Sequence, residues 1–143
     1  MRDLSKPYRL AVAAAIAGIS VPVYDEKRWV QSTEQQFVIL STQQQTPSPG
    51  NENDCTWISQ CGIDIEIYDK TGSEVSKDTM DDIANEILTI LLPAPFQTPL
   101  TSGNLQFTNA YCESIISRNL SISETESVLV KVVRFVCQII EQN

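Results

Sequence analysis

Apolar residues recur along the chain at two spacings, about 3.6 residues and two residues, and the switches between them mark out the elements. Tyr8, Ala11, Val12, Ala15 and Ile16 share one face of a helix predicted over residues 5–17. Ser5 is its expected cap, Pro7 suits its first turn, and Gly18 is expected to end it in the left-handed conformation. Ile19 to Asp25 is a short β-rich run whose Pro22 has no donor for a ladder, which puts it at a sheet edge. Phe37 to Gln43 reads as a strand, and Gln44 to Asp54, full of breakers with no apolar anchor, as a loop. From Thr56 to Tyr68, Ile63, Ile65 and Ile67 alternate with Asp64, Glu66 and Tyr68, so one face is buried and one is wet. These two strands and their polar loop predict a long antiparallel hairpin arm, closed off by a turn at Asp69–Gly72 with Gly72 at positive φ.

Met80, Ile83, Ala84, Ile87, Leu88 and Leu91 form one helical stripe. Asp78, Asp81 and Asp82 are expected in that helix's N-terminal turn, where carboxylates complement the helix dipole, and Pro93-Ala-Pro95 stops it. Leu105 to Arg118 and Val128 to Gln142 read as two further strands joined by residues 119–127. The last strand is apolar on both faces: Val128, Val130, Val132 and Val136 on one, Leu129, Val133, Phe135, Cys137 and Ile139 on the other. Either the strand is central, with helices over one face and a neighbouring subunit over the other, or a bulge near Lys131 shifts the alternation. The order α-β-β-β-α-β-β predicts an α+β fold: a mostly antiparallel sheet of about four to five strands with two helices on one face. Residues 1–143 are expected to form a single domain, with the hairpin loop at 44–54.

Composition removes several kinds of chemistry. Ten Lys plus Arg stand against eighteen Asp plus Glu, a net charge of −8, and the basic residues are scattered, so there is no phosphate-binding stripe. The chain has no histidine, which excludes Ser-His and Cys-His nucleophile pairs, imidazole metal sites and a histidine proton switch. Its five glycines lie too far apart to cradle a phosphate. Cys55, Cys61, Cys112 and Cys137 form no C-x-x-C pair and are expected as free thiols, with Cys112 and Cys137 in strands and Cys55 and Cys61 exposed. A secreted, disulfide-bonded domain would need cleavage after about Ala17, but Asp3 and Pro7 are ill-suited to a leader. No run reaches the ~20 apolar residues that cross a bilayer, so no membrane partner is expected.

Asp64 and Glu66 project from one strand face, a pair suggesting a carboxylate-dependent metal-binding module, and Asp78, Asp81 and Asp82 form a second acidic cluster; a solvated strand face and a helix start explain them more simply. Cys61-Gly62 lacks a base to activate a nucleophile. No cofactor and no enzymatic activity are expected. Trp57 and Phe37, at the margins of the hairpin, have the size of interface anchors, as does Trp29.

Several runs, taken together, resemble the tail terminator, or tail-completion, proteins of long-tailed bacteriophages. They are the Ala-rich first helix ending in Ala17-Gly18, Val21-Pro-Val-Tyr-Asp25, Phe37-Val-Ile-Leu40, Ile63-Asp-Ile-Glu-Ile-Tyr-Asp69, Gly72 and Asp81-Asp-Ile-Ala-Asn-Glu-Ile-Leu88. The resemblance implies a structural virion protein made in the bacterial host cytoplasm. It would assemble as a hexameric ring at the head–tail junction, ending the tail tube and meeting neck or portal proteins. A variant of that expectation is an adaptor or collar subunit of a short-tailed phage. DNA would pass through the lumen without specific binding, in keeping with an acidic chain. Subunit contacts are then expected at Gln44, Gln45, Thr46 and Pro47 of the loop, at Phe37 and Trp57, and at Val128, Val130 and Val132.

Overall fold

A computed structural model describes residues 1–25, 35–48, 56–70, 74–121 and 127–141. In chain order the elements are α1 (Ser5–Ile16), β1 (Val23–Tyr24), β2 (Gln36–Ser48), β3 (Trp57–Asp69), α2 (Glu74–Leu91), β4 (Leu105–Ser121) and β5 (Ser127–Glu141). The strands form one sheet in the order β1-β2-β3-β5-β4. Only the two-residue β1 runs parallel to its neighbour; the other pairs are antiparallel. The α+β class, the element order and the two helices on one face agree with the alternation in the sequence.

Sheet parity places Val38 and Leu40, Ile63, Ile65 and Ile67, and Val133, Phe135, Cys137 and Ile139 on the face beneath the helices. They pack in one core with Leu4, Tyr8, Val12 and Ile16 of the α1 region and with Met80, Ile83, Ala84, Ile87 and Leu91 of α2. Tyr8 anchors α1. Its ring stacks on Phe107 and Phe135, and its buried hydroxyl donates to the Phe135 carbonyl at 3.0 Å.

The ends of the elements differ from the expectations in instructive ways. Ser5 is the first helical residue of α1, not its cap; Leu4 precedes it and offers no side-chain bond. The free donors are met instead by Asp3, whose Oδ1 accepts from Ser5 N, and by Gln45, whose Oε1 accepts from Leu4 N, each at 2.9 Å. Gly18 is not left-handed: Ala17 keeps right-handed backbone and Ile19 N closes onto the Ile16 carbonyl. α2 begins at Glu74, so Asp78 lies a turn inside it and Asp81 and Asp82 further in. None of the three caps the helix; Asp81 pairs with Lys131.

The largest correction concerns β2. Residues 44–48, expected as loop, continue the strand and pair with Ile58–Gly62 after a register shift between Leu40 and Gln43. Their polarity is no obstacle, because each glutamine finds a partner. Gln43 and Gln45 turn toward α1, where Gln43 Nε2 donates to the Ser5 carbonyl (2.8 Å) and Gln45 Nε2 to the Arg2 carbonyl and Ser59 Oγ. Pro47 is tolerated because β1 pairs only with Val38 and Ile39, leaving the rest of β2 at an edge. The described parts of β2 and β3 are not a free arm, since β3 is paired along its whole length with β5, from Trp57 opposite Glu141 to Asp69 opposite Leu129. Residues 49–55, the turn at Gly72, Trp29 and Cys55 lie outside the described residues.

Candidate interface on the sheet face without helices

The face opposite the helices is built by the alternate residues of the four long strands. β5 presents Val128, Val130, Val132, Arg134 and Val136; β3 presents Gly62, Asp64, Glu66 and Tyr68. No described helix or strand packs over it. The register of β5 against β3 is unbroken, so a bulge at Lys131 is not the source of its two apolar faces; the irregularities lie in β2 and β4. In β4 one of them holds Asn109 at a φ of 50°, with its side-chain amide donating to Gln138 Oε1 at 2.7 Å.

Arg134 is the hub of this face. Its Nη1 donates to Asp64 Oδ1 and its Nε to Glu113 Oε2, both at 2.8 Å, and its Nη2 donates to Gln44 Oε1 at 3.0 Å. One guanidinium thereby ties β2, β3, β4 and β5 together. Asp64 foremost, then Glu113, raises the Arg134 pKa above the ordinary arginine value. Gly62 makes room for the group: a Cβ there would sit 3.0 Å from Arg134 Nη2 and 3.5 Å from a Val136 methyl. Arg134 carries a detectable sequence signal, since parity puts it on the valine face. Its partners require the β3–β5 register, and Gln44 is hidden by its loop-like surroundings.

The residues expected at subunit contacts fall into three groups. Gln44, Thr46, Val128, Val130, Val132 and Phe37 belong to the face without helices. Val128 and Val130 are buried and Val132 half-buried. Phe37 is also buried, stacked on Tyr68 with centroids 5.0 Å apart and covered by the Lys70 ammonium, so it is no exposed anchor. Gln45 and Pro47 face the helix side. Trp57 is half exposed at one end of the sheet. Sequence reasoning missed Ile116 and Leu120, exposed apolar groups of β4 opposite Val132 and Val128, while the equally exposed Ile115 lies opposite Val133 on the other side of the sheet.

Asp64 and Glu66 do share this face, but each is engaged: Asp64 with Arg134, Glu66 as acceptor from the Tyr68 hydroxyl at 2.7 Å. Burial and then Glu66 raise the Tyr68 pKa, keeping that proton in place. A guanidinium on Asp64 is a poor neighbour for a divalent cation, and no group of three Cys, Asp or Glu suited to a metal occurs among the described residues. Cys61 is buried, not exposed, because β3 carries it beneath α1, directly opposite Cys137. Cys61, Cys112 and Cys137 are free thiols; burial pushes the pKa of Cys61 and Cys137 up to about 12 each, which makes them inert near neutral pH.

No described helix is long and apolar enough to cross a membrane. No protein-family model and no curated protein matches the chain. Among solved structures, the fold is similar to a chain of the "Virion of native gene transfer agent (GTA) particle", with a TM-score of 0.67 at 12% identity. The similarity spans 97% of this chain and 98% of that one, so it embraces the whole sheet and both helices.

Proposed function

We propose that this chain is a non-enzymatic structural subunit of a phage-like virion, and that it assembles with copies of itself into a ring at the head–tail junction. In that reading the ring ends the tail tube and offers a surface to neck or portal proteins. The observation that carries it is the whole-length fold similarity to a chain of a gene transfer agent virion. The valine-bearing sheet face adds support. A strand apolar on both sides, with no described element over one of them, suits a protein that completes its packing against a neighbour. The Gln44–Thr46 segment and Val128–Val132 are the proposed contact residues, with Trp57 at the rim. An acidic chain without a basic stripe also suits a channel that DNA must traverse without sticking.

The test is the native mass of the purified chain over a concentration series, with negative-stain imaging of the largest species, alone and with isolated tail tubes. Closed rings, alone or seated on tube ends, are expected. A strict monomer that also ignores tail tubes would overturn the reading.

A further inference from the structure

β4 is the outer strand on one side of the sheet, and its two halves are covered differently. Along its first half runs the connection from α2: Ala110 N donates to the Phe96 carbonyl at 3.2 Å, and Ser102 bridges to Leu105. Residues 114–121 pair in unbroken register with β5, and no described residue pairs with their other edge. This half has no Pro, no Gly, no bulge and a single charge, Arg118, so it lacks the usual protections of a free strand edge. Ile116 is 45% exposed on it.

The opposite side of the sheet carries a complement to this edge. Val23, Val38, Ile67, Lys131 and Ser117 lie in one row across the five strands, and Tyr24, Ile39, Glu66, Val132 and Ile116 in the next. β1 and the free half of β4 are therefore level, and the pairings make them run in opposite directions. Their hydrogen-bonding groups match as well. Successive residues of a strand turn their N–H and C=O to alternate sides, and opposed antiparallel residues turn them both toward each other or both away. Val38 N donates to the Pro22 carbonyl at 2.9 Å, so Val38 faces β1, Ile67 faces β5, Lys131 faces β3 and Ser117 faces the open edge. By the same alternation Val23, next to Pro22, faces outward from β1. The two outlines are also stepped alike. β1 projects beyond β2 at the level where β4 is bare, and the Phe96 connection projects beyond β4 at the level of residues 44–46, where no described strand lies outside β2.

We propose that residues 115–119 of β4 pair antiparallel with residues 21–25 of a second copy, Ser117 opposite Val23, so that the sheet runs on from one subunit into the next. Ile116 is then covered by Tyr24 of that copy, a β-branched and aromatic pair on the face without helices. The edges meet without sliding along the strands, in the head-to-tail contact that generates a ring when its rotation closes. This contact rests on the reading of the chain as a self-assembling subunit.

Oxidative cross-linking tests it, with circular dichroism to check the fold of each variant. In Tyr24→Cys/Ile116→Cys the new thiols of neighbouring copies oppose each other in a non-hydrogen-bonded pair. Copper phenanthroline is expected to give a ladder of covalent oligomers that neither single variant nor the wild type gives. Dimers from Ile116→Cys alone would mean that β4 pairs with itself, which overturns the proposal. Ser117→Pro removes an outward N–H and no ladder bond, so the fold is expected to survive while association in sedimentation velocity weakens about tenfold or more. If that variant misfolds, the cross-link alone decides. Assemblies that form without the cross-link, or that are unaffected by Ser117→Pro in a folded chain, overturn the edge pairing and leave self-assembly standing. A wild-type chain that is monomeric both alone and with tail tubes removes both.

Discussion

Ile63, Ile65 and Ile67 on one side of β3, and Gly62, Asp64 and Glu66 on the other, come from the same run of alternating residues yet hold the sheet by different means. Beneath the helices, Ile63 and Ile65 meet Phe135 and Val133 across the ladder, and α1 and α2 close the packing. On the opposite side, one guanidinium clamps four strands, and the surrounding valines have no described element over them. Stability is concentrated on the covered face, where removed volume cannot be refilled. The opposite face combines a directional polar hub with valines that are largely buried among their strand neighbours, its exposed apolar groups being Ile116 and Leu120 of β4. The difference teaches that an apolar strand flank need not be core; what lies over it decides.

Substitutions can break this contrast, starting with the largest effect. Phe135→Ala, which empties the stack with Tyr8, should cost about 3–5 kcal/mol in urea unfolding. A cost near that of a surface change would mean that α1 does not depend on that ring. Arg134→Met should cost about 1–3 kcal/mol by leaving Asp64 without its partner. A neutral result would reduce the hub to a surface ion pair. Alkaline titration probes the covered face again. Cys61 and Cys137 have pKa values raised in the fold, so more protons are bound when folded, and stability falls as pH rises from about 9, the ordinary thiol range, toward 12. Each thiol contributes up to about 1.4 kcal/mol per pH unit in that window. Cys61→Ala/Cys137→Ala should flatten the pH dependence of the urea midpoint above pH 9, after allowing for its lower starting stability. Val132→Ala, half-buried on the opposite face, should change stability by about 1 kcal/mol or less. If its effect on self-association, read by sedimentation, is no larger than that, the valine face is not a contact surface.

Much of this contrast is legible in the sequence. The two-residue period assigns Ile63, Ile65 and Ile67 of β3 and the valines and Ile139 of β5 to the correct side, and the 3.6-residue period recovers α2's buried stripe. Polar segments are where pattern reasoning stops. Gln44 and Gln45 look like loop because no local feature reveals that one meets Arg134 and the other the start of α1, both distant in sequence. The same holds for Cys61, whose burial depends on α1 lying across β3, and for Phe37, whose cover comes from Tyr68 and Lys70. Capping went astray for a related reason: a glutamine from β2 supplies what a local side chain was expected to supply at Leu4. Local rules describe a residue's preferences, and tertiary partners decide which of them is used.

The order β1-β2-β3-β5-β4 carries a consequence for synthesis. β5 is translated after β4 yet lies between β3 and β4, so while the ribosome is making the sheet, β4 has no neighbour to pair with and β3 has one open flank. A nascent chain that has not yet released residues 127–141 therefore leaves Ile63 and Ile65 without Phe135 and Val133 across the ladder, and folding is completed only by insertion of that strand. Chains stalled or truncated before Ser127 are accordingly the species for which a holdase chaperone matters most, and whose aggregation would limit the yield of intact subunits.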